Sequence, residues 1–295
     1  MRQTSIKLSH STKKIGGTVQ LTGSKSESNR ALIIQALSKG NVTIENISEA
    51  DDTILLTRAL QDAAASDEGP KTIDIGPAGT AMRFMTSYLN LIPGEFILTG
   101  TARMQQRPIG ILVDALRTIG ADINYVDKAG YPPLHIKGGL SQSQERVSIK
   151  GDVSSQYISS LLLVAAHLEK GLTIEIEGEL TSRPYVTMTL NMLAEAGINH
   201  NWEGNNIQIL PHEAQQATIY IEPDWSAASY WYAMVALAEE AEIRLPGLKK
   251  SSLQGDIAIA TIMEYFGVKT TFEEKGILLE KTSTLTDKSF FDFKE

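Results

Sequence analysis

The sequence predicts an α+β protein built as a tandem array of units spaced 70 to 77 residues apart, with helices buried between sheets. The first observation behind this is a set of strand starts that follow helices and are marked by a small residue. They are Gly40 in KGNVTIENI, Gly94 in PGEFILTG, Gly171 in KGLTIEIEG, and Ala241 in EAEIRLPG. The second is a helix ending in glycine plus an apolar residue: Gly120 in IGILVDALRTIGADI, Gly197 in VTMTLNMLAEAGINH and Gly267 in IAIATIMEYFGVKTT. The third is that the two markers move together. Gly94 to Gly171 and Gly120 to Gly197 are both 77 positions; Gly171 to Ala241 and Gly197 to Gly267 are both 70. A shared period of this size is the mark of repeated supersecondary units.

Each unit reads as helix, strand, helix, then a pair of strands. In the first, shortened unit, Leu21–Leu37 (LTGSKSESNRALIIQAL) carries a strand end, a Gly-Ser turn and a helix expected to begin near Glu27 or Ser28. In the second, Asp74–Phe84 (DIGPAGTAMRF) is a glycine turn opening a helix, with Thr80 as a candidate cap. Arg103–Pro108 (RMQQRP) then places Pro108 in the first turn of the next helix. In the third, Asp152–Gln156 (DVSSQ) precedes an apolar helix over Tyr157–Leu168, and Thr181–Tyr185 (TSRPY) puts hydroxyls and a proline before another. A glycine after a helix suits a left-handed C-cap, and Gly138-Gly139 and Gly204-Asn205 are turn signals between strands. The fourth unit runs into GILLEKTSTL and FFDFKE.

Composition excludes several function classes. With 42% hydrophobic residues in 295 the chain can bury a sizeable core. Its 27 basic and 35 acidic residues give a net charge of −8, which argues against nucleic-acid binding through phosphate neutralisation. There is no cysteine, so disulfides, thiolate metal sites and cysteine nucleophiles are out. The five histidines are scattered without metal-ligand spacing, so no metal and no cofactor is expected. The polar N-terminus lacks an apolar core of signal-peptide length, and no apolar run spans a bilayer. A cytoplasmic protein without membrane contact is the expectation.

Five helix starts carry anion-binding chemistry. Backbone N–H groups at a helix N-terminus point outward unpaired and favour negative charge. Lys25 and Arg30 flank the first start, among the hydroxyls of Ser24, Ser26 and Ser28. Gly76, Ala78 and Gly79 allow close backbone approach at the second. Arg103 and Arg107 stand four apart at the third; Ser154, Ser155 and Gln156 open the fourth, and Ser182 with Tyr185 the fifth. Capping alone also accounts for the serines. Because repeats place equivalent loops on one face, these starts are expected to converge on one pocket.

In order and spacing, GSKSESNRA, GPAGTAMR, RMQQRPIG, GDVSSQ, SRPY and LQGDI resemble the motifs of the EPSP synthase family along essentially the whole chain. The resemblance implies a two-domain enolpyruvyl transferase, inside-out α/β barrel-like, with three βαβαββ units per domain. It also implies transfer of the enolpyruvyl group of phosphoenolpyruvate to shikimate 3-phosphate. Lys25 would contact both substrates and Ser26 and Arg30 the shikimate ring or its carboxylate. Ser154, Ser155 and Ser182 would hold the 3-phosphate with Tyr185 close by, Gln156 would lie between the ligands, and Gly79 and Arg107 would line the phosphoenolpyruvate site. Lys25 and Gln156 would be the catalytic members. Ser26 and the Ser154-Ser155-Gln156 run set the chain apart from the similar UDP-N-acetylglucosamine transferases. Pro77 stands where the family usually has asparagine and Phe84 where proline is common; both are expected to change loop shape rather than chemistry.

By the same resemblance, residues 21–222 form a complete domain, while 1–20 plus 223–295 form part of a second. The target-hydroxyl carboxylate, a Lys-Glu pair and further phosphoenolpyruvate-binding cations are expected beyond FFDFKE. The chain by itself is therefore expected to be inactive: a truncated enzyme completed by a C-terminal segment or partner chain, or a non-catalytic binder of shikimate 3-phosphate.

Overall fold

The computed structural model describes residues 11–65 and 69–282; Lys7, His10 and the FFDFKE segment lie outside them. The first stretch contains β1 (Lys14–Thr18), α1 (Lys25–Leu37), β2 (Val42–Glu45) and α2 (Asp51–Ala64). Next come β3 (Lys71–Asp74), α3 (Gly79–Tyr88), β4 (Glu95–Thr99), α4 (Gly110–Thr118), β5 (Asp122–Tyr125) and β6 (Leu134–Lys137). The third set is β7 (Arg146–Lys150), α5 (Ser155–Ala165), β8 (Leu172–Glu177), α6 (Arg183–Glu195), β9 (Asn201–Glu203) and β10 (Asn206–Ile209). The last is β11 (Ala217–Tyr220), α7 (Trp225–Leu237), β12 (Glu240–Pro246), α8 (Ile259–Glu264), β13 (Val268–Glu273) and β14 (Gly276–Lys281).

Three sheets have one topology: β3-β4-β6-β5, β7-β8-β10-β9 and β1-β12-β14-β13. In each, the first two strands are parallel and the others pair antiparallel. A parallel pair needs a helical crossover and an antiparallel pair only a short turn, so the βαβαββ order follows. Gly40, Gly94 and Gly171 precede β2, β4 and β8, Ala241 is the second residue of β12, and Gly120, Gly197 and Gly267 follow α4, α6 and α8 at φ of 112°, 80° and 74°. The repeat read from the glycines is the repeat of the fold. None of these sheets closes into a barrel among the described residues.

The first strands of two units are exchanged. β1 pairs in parallel with β12, joining Lys14 to Glu240, while β11 pairs in parallel with β2 in a two-stranded sheet. The chain accordingly divides into two compact units, Thr22–Ile221 and Met1–Leu21 with Glu222–Glu295.

Within Thr22–Ile221 the helices form the interior. Every residue of α5 from Tyr157 to Ala165 is buried, as expected for a helix apolar on all sides. Leu161, Leu162, Leu163 and Val164 are at most 1% exposed, and burial of each such side chain contributes roughly 1.5–3 kcal/mol as an upper estimate. Small hydroxyls let α5 approach α3 closely: Ser87 and Ser160 meet at 2.7 Å, and Ser160 Oγ donates to the Arg83 carbonyl at 2.6 Å. The helix ends at Ala165, three residues short of the Leu168 read from its apolar run, because residues 166–168 turn toward β8.

The other unit has its own core of Trp225, Tyr232, Val235, Leu245, Ile277 and Leu279, each at most 1% exposed. Glu222, 4% exposed, anchors it: its carboxylate accepts from the Trp225 indole at 2.9 Å, from Lys249 N at 2.7 Å and from Ser252 Oγ at 2.5 Å. On the other side of α7, Tyr230 is 73% and Leu237 84% exposed.

Candidate active site

Helix α1 begins two to three residues earlier than its sequence suggests. Ser24 is the N-cap, in extended geometry, and its hydroxyl accepts the Glu27 N–H at 3.4 Å. Capping by the first serine rather than a later one puts Lys25 and Ser26 in the first turn. Lys25 Nζ lies 3.9 Å from Asp52 on α2. The buried Glu27 carboxylate occupies the same turn, where the helix dipole favours negative charge.

Arg30, one turn on, is 2% exposed. Its Nε–H donates to Thr189 Oγ1 at 2.7 Å, Nη1 to the Ser26 carbonyl at 2.8 Å, and Nη2 to Ser159 Oγ at 3.2 Å and the Tyr185 carbonyl at 3.3 Å. Its guanidinium carbon stands 5.6 Å from the Phe84 ring centroid and 5.7 Å from that of Tyr185. Arg30 thus ties α1 to α3, α5 and α6. Burial pulls its pKa down to about 10, against the opposing pull of Tyr185 and Glu27. Of its five N–H groups, four are occupied by these acceptors, leaving one on Nη1. Phe84, expected only to shape a loop, forms one wall of this cradle.

The glycine turn before α3 brings two cations together. A side chain at Gly79 would run into Arg107 Nη1 and lie 3.0 Å from Arg83 Nη1. Arg83 is 6% exposed and donates from Nη1 to the Gly79 carbonyl at 2.8 Å, while its Nε is buried without a hydrogen-bond partner. Burial, and then the neighbouring Arg107, lower its pKa, and Tyr157 opposes them. Among the described residues, none of Arg30, Arg83 and Arg107 makes an ion pair with a carboxylate.

Two local expectations are corrected here. Thr80 is not a cap: Ala78 takes that place, and Thr80 Oγ1 accepts from Gln156 Nε2 at 3.4 Å. Pro108 is not in the first turn of α4, which starts at Gly110; residues 104–106 form a separate 3-10 turn between Arg103 and Arg107.

Helix α5 opens with Ser154 as N-cap, its hydroxyl accepting the Gln156 N–H at 3.3 Å; Ser155 is 8% exposed. Tyr157 Oη donates to the Pro108 carbonyl at 2.7 Å. The loop before α5 is joined to the loop before α6 by Thr181, whose N–H and hydroxyl both reach the Gly151 carbonyl, at 3.1 and 3.2 Å. Ser182 caps α6 in a left-handed conformation (φ 55°, ψ 40°), exposed and without a side-chain cap bond. A non-glycine residue held there costs free energy, and such residues gather at functional sites.

The structure therefore links the starts of α1, α3, α5 and α6 and the turn bearing Arg107 through direct contacts. Arg103 is exposed, and no contact brings it into this set. Sequence reading gave no role to Arg83, Tyr157, Ser159 or Thr189. Arg83 had a signal: four residues after Gly79, it is the one charged residue of helix α3. A cavity of about 530 Å³ lies elsewhere, at the C-terminal ends of α1 and α5 beside Lys39, His167 and Glu213. Helix C-termini present carbonyls and disfavour anions, so the cavity is not an extension of this site.

Comparison with known proteins bears on the chain as a whole. The model of the family described as EPSP synthase (3-phosphoshikimate 1-carboxyvinyltransferase) matches residues 10–292. A Bacteroides fragilis protein named 3-phosphoshikimate 1-carboxyvinyltransferase is 47% identical over 281 residues, covering 95% of this chain and 67% of the relative. One of the same name from Shewanella woodyi is 37% identical over 289 residues, covering 90% and 67%. The fold matches EPSP synthase from Acinetobacter baumannii with a TM-score of 0.75 at 22% identity, covering 92% of this chain and 65% of that one. The chain thus spans about two thirds of the length of the relatives it matches. No helix among the described residues is long and apolar enough to cross a membrane.

Proposed function

The chain belongs to the EPSP synthase family, and on that premise we propose that its helix-start cluster holds shikimate 3-phosphate and phosphoenolpyruvate for enolpyruvyl transfer. The observation that carries the reading is the convergence of four helix N-termini with three arginines that have no carboxylate partner among the described residues. Two anionic substrates supply the missing negative charge.

Ser154, Ser155 and Ser182 receive the 3-phosphate, with Tyr185 beside it. Ser26 and the remaining Nη1 hydrogen of Arg30 face the ring and its carboxylate; the other four N–H groups of Arg30 hold the protein in shape. Gly79 and Arg107 line the phosphoenolpyruvate site, where a guanidinium grips a carboxylate or phosphate in two-pronged fashion. Gln156, bonded to Thr80 beside Gly79, lies between the substrates. Lys25 contributes a mobile positive charge for the transition state. In this reading residues 21–222 are the complete substrate-holding domain, working in the cytoplasm without cofactor or nucleic acid.

Calorimetry with shikimate 3-phosphate tests the assignment. Binding is expected between millimolar and micromolar, about −4 to −8 kcal/mol, and to vanish in the Ser154→Ala/Ser155→Ala double variant. Unchanged affinity in that variant would overturn the phosphate site. Phosphate release from the two substrates is a separate measurement: turnover makes this chain an enzyme by itself, and binding without release makes it a holder of shikimate 3-phosphate.

A further inference from the structure

Two features beside Gly79 have no role in the assignment above. Arg83 Nε is buried without a hydrogen-bond partner, and leaving a charged donor unsatisfied costs free energy unless a ligand completes it. Tyr157, 6% exposed, touches both cation-bearing segments. Its hydroxyl holds the carbonyl of Pro108, the residue after Arg107, at 2.7 Å, and its ring centroid lies 6.0 Å from the guanidinium carbon of Arg83.

We propose that Arg83 and Arg107 form a two-guanidinium clamp for one anionic group of phosphoenolpyruvate, and that Tyr157 is the positioning residue that sets their separation. This rests on the functional reading above. The two cations repel across Gly79, and without a carboxylate the fold has to hold them by other means. Arg83 is held by the Gly79 carbonyl and by the face of Tyr157, an attraction worth roughly 0.5–2 kcal/mol. Arg107 is held through its turn: its N–H donates to the Met104 carbonyl at 3.0 Å, and the next carbonyl is pinned by Tyr157. Losing the hydroxyl frees the turn to relax away from Arg83, so an anion must then draw the pair together itself. Preorganisation of this kind raises affinity by lowering what binding has to order.

Nitrogen-15 NMR of the arginine Nε–H groups reads the clamp directly in the full chain. In the wild type, phosphoenolpyruvate and inorganic phosphate are each expected to shift the Arg83 and Arg107 resonances. Tyr157→Phe should weaken phosphoenolpyruvate three- to tenfold while shikimate 3-phosphate stays within twofold. Arg83→Lys, which keeps the charge and loses the fork, should weaken phosphoenolpyruvate at least tenfold. Equal losses for both ligands, in step with a lower melting temperature, would mean that Tyr157 only supports the fold and would overturn the proposal. So would an Arg83 resonance that ignores both anions. Inorganic phosphate probes the pair on its own: if it shifts Arg83 while shikimate 3-phosphate fails to bind, the clamp stands and the broader functional reading falls.

Discussion

Thr189 Oγ1 accepts the Nε–H of Arg30 at 2.7 Å, although the two residues are 159 positions apart. The same hydroxyl lies 2.9 Å from Ser159 Oγ and from the Tyr185 carbonyl. One threonine therefore orients a cation that touches four helices of the site.

Thr189→Val keeps the shape and removes the acceptor. A buried charged donor is then left unmatched, at a cost of about 1.5–3 kcal/mol, and Thr189→Ser should recover most of it. Urea unfolding midpoints give the answer: equal midpoints for valine and wild type would show that Arg30 has found another acceptor.

Gly79→Ala separates affinity from stability. Alanine suits the start of a helix better than glycine by up to about 1 kcal/mol, yet its methyl group displaces Arg107. Phosphoenolpyruvate affinity is expected to drop at least tenfold with no loss of thermal stability. Unaltered affinity in the calorimeter would place Arg107 outside the anion site.

Ser182→Gly should trade in the same direction by another route. Glycine accepts a φ of 55° without strain, so stability is expected to rise by about 1 kcal/mol. The hydroxyl is lost, and shikimate 3-phosphate should bind less tightly. A glycine variant with lower stability would mean that contacts of the serine, not its backbone, dominate.

His167 gives the fold a pH dependence. Burial, then Lys39, lower its pKa below the ordinary value of 6.5, with Glu213 opposing. Between the lowered folded value and 6.5 the unfolded chain binds more protons, so stability falls as pH drops through this window. The contribution is present above pH 6.5 and lost below it. His167→Gln should flatten the slope relative to wild type when unfolding free energy is followed from pH 7.5 to 5; parallel curves would assign the slope to other groups.

The repeat was legible because two glycine markers shift by the same interval, and backbone positions at positive φ, from 67° at Gly171 to 139° at Gly94, leave a trace in the sequence. The helix starts were legible because serine, glycine and proline announce them, though their registers were not: Ser24, Ala78 and Ile109 cap helices that the local signals place differently. What stayed hidden was set by distance along the chain. The acceptors of Arg30 come from residues up to 159 positions away, and no local pattern foretells that its guanidinium is enclosed. Arg83 went unassigned because its significance lies in the company of Arg107, which only folding creates.

The exchange of first strands also dictates an order of events during synthesis. β1 leaves the ribosome long before β12: Lys13 and its partner Glu239 are separated by 226 residues. At about 5–20 residues per second, β1 waits roughly 11–45 s for its partner. The Thr22–Ile221 unit has everything it needs once β11 emerges, so it can close first. Meanwhile the sequence KIGGT, two glycines behind a pair of lysines counting Lys13, is a poor template for wrong pairing. An early strand that must stay single for so long is better served by weak self-association than by strong β propensity.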